Sequence, residues 1–141
     1  MDRYFRSMTV LRHDRSDALR YETFSDVVLA GLGDSRPNLY QGAQRIMEKK
    51  LKLAPDGYVT TWFELAPDAL TNAPHFWTLS VWWRSRKGDH HHSIWGESLP
   101  SPHDTRSVLF GLARRMVVEN HGVPEKHAVL SFDCSPSMLA N

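Results

Sequence analysis

The chain has 141 residues, 41% hydrophobic and 23% charged, with 17 basic and 16 acidic side chains for a net charge of +1. These values exclude a collagen-like chain and a disordered tail and argue against a histone-like or polybasic protein, and a domain of this length buries about 70% of its unfolded surface without help from metal or disulfide. The single cysteine, Cys134, excludes an intrachain disulfide and suits a reducing cytoplasm. The opening Met1-Asp2-Arg3-Tyr4-Phe5-Arg6-Ser7 lacks the apolar core of a signal peptide. No apolar run nears the ~20 residues of a membrane span. A soluble cytoplasmic protein without cofactor is therefore expected.

In chain order, extended segments are expected at about 7–13 and 19–30, followed by a first helix over about 36–53. Leu39, Ala43, Ile46, Met47 and Leu53 follow helical spacing. Ser35 is placed to cap this helix, Pro37 sits in its first turn, and Lys49, Lys50 and Lys52 crowd its C-terminal end, where the dipole favours cations. A strand follows in which Val59, Thr61, Phe63 and Leu65 share one face, expected to be core, and Tyr58, Thr60, Trp62 and Glu64 share the other.

The second half repeats this order. Strands are expected at about 75–87 and 90–98, joined by a turn at Arg86-Lys87-Gly88-Asp89. A second helix is expected over about 105–121. Its stripe is Leu109, Leu112, Ala113, Met116, Val117 and Asn120, its cap Asp104 or Thr105, and its stop Gly122 and Pro124. In the last strand Ala128, Leu130, Phe132 and Cys134 face the core.

The halves also align residue by residue. Asp34-Ser35-Arg36-Pro37-Asn38-Leu39-Tyr40 with Ala43 and Arg45 matches Asp104-Thr105-Arg106-Ser107-Val108-Leu109-Phe110 with Ala113 and Arg115 at a spacing of 70. After one deletion the spacing is 69, pairing Pro55 with Pro124, Phe63 with Phe132, Glu64 with Asp133 and Pro67 with Pro136. A duplication is the simplest source. The expected architecture is a two-layer α+β sandwich, a mainly antiparallel sheet of about six strands with two helices on one face, built from a duplicated ββαβ unit and sharing one core as a single domain.

If both helices cover one side, the other side is open. It would present Tyr58 and Trp62 from one strand and Phe76, Trp82, Arg84 and Arg86 from another. Exposed aromatics beside arginine are the residue types of interface hot spots and of single-strand nucleic-acid platforms. The same residues packed under another segment or a second copy of the chain would be the structural alternative, and an open aromatic face makes a homodimer a natural outcome. The hairpin Trp82-Trp83-Arg84-Ser85-Arg86-Lys87-Gly88-Asp89-His90-His91-His92 adds Lys87, His90 and His92 to that surface. Its tip suits a phosphate groove, or simply protects a sheet edge.

From the first helix to the second the order α-β-β-β-α, over about 37–121, resembles the double-stranded-RNA-binding domain. Thr105-Arg106-Ser107 stands where that family carries a lysine pair, and Asn72-Ala73-Pro74-His75 keeps only Pro74 and His75 of its loop. The likeness is one of element order, and no residue is carried over.

Catalytic and metal chemistry have less support. His90 and His92 share a strand face, as a metal pair does, with Asp89, His103 or His121 as further donors, but no ligand spacing supports a site. Cys134 falls on a core face, Glu64 and Asp133 read as equivalent surface acids, and Gly31-Leu32-Gly33 is no phosphate loop. The leading expectation is a non-catalytic binding module for nucleic acid or a nucleic-acid-bound complex such as a ribonucleoprotein. The alternative is a small protein-binding inhibitor or adaptor, such as an immunity protein or a phage- or plasmid-encoded antagonist of a host complex. A small His- or metal-dependent hydrolase comes third.

Overall fold

A computed structural model describes residues 2–99 and 104–139. The chain forms two compact units that divide after Pro67. In the first, β1 (Asp2–His13), β2 (Leu19–Ala30), α1 (Arg36–Leu51) and β3 (Tyr58–Pro67) follow one another, and the strands form an antiparallel sheet in the order β2-β1-β3. In the second, β4 (His75–Ser85), β5 (Gly88–Ser98), α2 (Arg106–His121) and β6 (Ala128–Pro136) build a sheet in the order β5-β4-β6. The fold is α+β with two ββαβ halves, and its six strands divide into two three-stranded sheets. The strands between the helices do not form one sheet: β3 pairs with β1, β4 with β5 and β6. The order α-β-β-β-α from α1 to α2 is present, and the likeness to the double-stranded-RNA-binding domain goes no further than that order.

The matched residues make matched interactions. Ser35 and Thr105 cap helices of 16 residues each, accepting from the amides of Asn38 and Val108. Arg36 and Arg106 then reach back to the strand that follows their helix, donating from Nη1 to the carbonyls of Leu65 (2.9 Å) and Cys134 (2.7 Å). Tyr40 meets Phe63 edge-on at 4.9 Å, and Phe110 meets Phe132 at 5.1 Å. Each helix closes in a left-handed residue, Lys52 and Gly122, as helix C-termini commonly do.

Alternation along the central strands builds each core. In the first unit Met8 and Val10 of β1 pack with Ala43 and Met47 of α1, joined by Tyr40, Tyr58 and Phe63. In the second, Trp77, Leu79 and Val81 of β4 are buried, as are Leu109, Phe110, Ala113 and Val117 of α2 and Phe132 and Cys134 of β6. Leu112 and Met116 are exposed instead, and with Val108 form an apolar strip on the outer side of α2.

One extra residue reverses the expected faces at the start of β3. Thr9 pairs with Trp62 and Val10 with Thr60, so Thr61 is a bulge whose hydroxyl donates to the Thr9 carbonyl (3.2 Å). A single-residue slip exchanges the two sides of a strand. Val59, expected in the core, is therefore 64% exposed. Tyr58, expected on the open face, packs against the core cluster and donates to Glu48 of α1 (2.6 Å). Its phenol is pushed up to about 12, by burial first and then by the Glu48 carboxylate. The bulge recurs at Leu130, between the pairs Ser80–Ser131 and Val81–Val129.

Candidate functional site

The helix-free face of the second sheet is set by the β4–β5 register. Phe76 lies opposite Glu97, Thr78 opposite Trp95, Ser80 opposite Ser93, Trp82 opposite His91 and Arg84 opposite Asp89. Cross-strand partners share a face, so these side chains form one surface. It carries two exposed aromatic rings. Trp95 is 71% exposed and Phe76 42%, and their rings lie 5.9 Å apart. The central part is hydroxyl-bearing, with Ser80 and Ser93 sharing a hydrogen bond of 2.8 Å. Glu97 on β5 and Asp133 on β6, opposite Thr78, are both exposed and put carboxylates beside the aromatic pair.

Gly96 makes room for Trp77 on the side of β5 opposite Trp95. A Cβ on Gly96 would stand 2.6 Å from Cζ2 of Trp77, whose indole lies across that glycine and donates to Ser98 (3.3 Å). The Trp77 ring thus presses on the helix side of β5 and leaves its neighbours Trp95 and Glu97 on the other. Gly96→Ala is expected to cost about 2 kcal/mol, because the ring must leave its rotamer. Gly111→Ala, where a Cβ meets nothing within 4 Å, should instead stabilise α2 by up to about 1 kcal/mol. Denaturant titration of the two variants checks the opposite signs.

The expected site residues are only partly brought together. Trp82 is on the expected side but is 3% exposed, so it is no contact residue. The Arg84 guanidinium lies 5.2 Å from its ring centroid and also binds Asp89 at 2.8 Å. Hydrogen bonds from Arg84, and more weakly from the Trp82 indole, hold the Asp89 carboxyl below its ordinary range. This cluster ties the base of the hairpin together. Trp62 is half-buried beside β1, whose Ser7 and Thr9 on the helix-free side are fully buried. The first sheet therefore offers no open platform at its centre.

At the hairpin tip Arg86 and Lys87 are exposed and form no ion pair among the described residues. His90 and His92 lie on the other side of β5. His90 stacks on Trp83 (5.1 Å) and bonds Ser85 (2.7 Å), while His92 meets His121 of α2 at 3.1 Å between nitrogens. No group of three or more metal-ligating side chains occurs among the described residues, and His103 lies outside them. Cys134 is buried, and burial pushes its thiol pKa up, opposite to what a nucleophile needs.

A comparison with protein-family models finds no match, and a comparison with curated proteins finds none. No helix among the described residues is long and apolar enough to cross a membrane.

Trp95, the more exposed ring of this face, is not among the residues expected from the sequence. Its signal was present: Ile94 and Gly96 flank it on one parity, and polar Ser93 and Glu97 follow it on the other.

Proposed function

We propose that the chain is a non-catalytic binding module that docks a protein partner on the helix-free face of its second sheet. The observation that carries this reading is the adjacent exposure of Trp95 and Phe76 on regular paired strands. Aromatic rings held on a rigid sheet bury much area at little entropic cost, and tryptophan leads the residue types of binding hot spots. Glu97 and Asp133 beside the pair favour a protein over a phosphate backbone, because they would repel one. An inhibitor or adaptor fits this surface better than a nucleic-acid reader.

The unpaired Arg86 and Lys87 support the second reading, contact with nucleic acid through the hairpin tip. Affinity capture from the native host, with and without nuclease, separates the two. The protein reading expects a stoichiometric partner that survives nuclease and persists at moderate salt. Loss of all captured material on nuclease treatment would favour the nucleic-acid reading instead.

A further inference from the structure

Within the second unit, α2 and the turn leading into β6 border an open concavity of about 390 Å³, a volume in the range of small-molecule sites. Its lining includes Arg114, Arg115, Val118, Glu119, Glu125 and His127, with Arg115 exposed. Arg114 is the half-buried cation among them. Its guanidinium lies over the Phe110 ring at 5.6 Å and donates from Nε to Nε2 of His127 (3.1 Å). His127 in turn donates from Nδ1 to the Pro124 carbonyl (2.8 Å), so both of its nitrogens are committed in the neutral form. Burial, and then the nearby Arg114 charge, lower the His127 pKa and reinforce that state. No carboxylate pairs with Arg114 among the described residues, although Glu119 and Glu125 line the same concavity. A half-buried cation without a counter-ion is costly.

The first unit holds the same place differently. In the duplicated register Phe110, Arg114, Val118 and His127 correspond to Tyr40, Gln44, Glu48 and Tyr58. There Tyr58 donates to the Glu48 carboxylate at 2.6 Å, and Gln44 donates to the Tyr40 hydroxyl at 3.3 Å. A carboxylate is thus built into the first copy. The second copy replaces it with valine, shortens the phenol to an imidazole, and turns the neutral amide into a guanidinium. We infer that the concavity binds the carboxylate of a small organic acid, with Arg114 as its counter-ion and Val118 against its apolar body. Nε of Arg114 is held by His127, which leaves the two terminal nitrogens to receive both carboxylate oxygens.

The test is NMR titration of the 15N-labelled protein with benzoate, followed at the Arg114 Nε–H and at the amides of residues 111–127. Saturable shifts are expected with benzoate and none with benzylamine, which keeps the ring and lacks the carboxylate. Arg114→Gln, the residue of the first copy, should weaken benzoate binding at least about tenfold. Val118→Glu, which supplies the carboxylate from within, should do the same. Absence of saturable shifts, equal shifts with benzylamine, or undiminished binding in a folded Arg114→Gln variant would overturn the proposal.

Discussion

Replacing Phe76 and Trp95 together by threonine is expected to weaken partner binding by about a hundredfold or more while leaving the fold intact. Truncating one hot-spot aromatic costs about 2 kcal/mol or more, and two such losses reach that factor without further contacts. The fold should tolerate the change because both rings are exposed side chains on the helix-free face, Trp95 at 71% and Phe76 at 42%. Threonine suits both positions, since it keeps the strand preference that alanine lacks. Binding measured by calorimetry and thermal melting followed by circular dichroism check the two halves of the expectation. The corresponding Trp82→Thr change should behave in the opposite way. That ring is buried and tied to Arg84 and Asp89, so its loss should lower stability.

Asp68→Ala is expected to destabilise the second unit by about 3 kcal/mol. Asp68 is 2% exposed, and its carboxylate accepts from the backbone amide of Ser107 (2.8 Å) and from the Ser107 hydroxyl (3.2 Å). Its carbonyl receives the Arg106 amide at 2.7 Å, beside a bridge between Ala69 and Thr105. The first turn of α2 has no acidic residue of its own, and Asp68 puts a buried anion at the positive end of the helix. Alanine removes charged hydrogen bonds worth about 1.5–3 kcal/mol and leaves a buried amide without a partner. Asparagine keeps one acceptor and should cost about half as much. Denaturant unfolding of the three proteins measures the series, and equal stability of all three would remove Asp68 from the account.

Much of the fold was legible in the residues. Helical spacing, Ser35 and Thr105 as caps, and the Gly122 stop each encode a local event, and these fall where expected. The duplication was legible because Arg36 and Arg106 are retained, and both lock their helix to the following strand. Pairing was not legible. Alternation says which residues share a side of a strand, but the partner strand decides where an extra residue is accommodated. The bulge at Thr61 therefore exchanged Tyr58 and Val59. Trp82 shows a second limit: parity gave its side of β4 correctly and said nothing about how far it is covered. Trp95 follows a histidine run whose charge and polarity mark the hairpin tip, whereas the exposed rings lie toward the opposite end of that strand pair.

The strip of Val108, Leu112 and Met116 on α2 is exposed as well as the aromatic pair, and is the alternative docking surface to test. Photo-crosslinking distinguishes them directly, with a photoreactive phenylalanine analogue placed at position 95 in one protein and at position 112 in another. The account predicts a protein crosslink from position 95 that resists nuclease, and none from position 112. Crosslinking from position 112 alone, or a product at position 95 that nuclease removes, would contradict it.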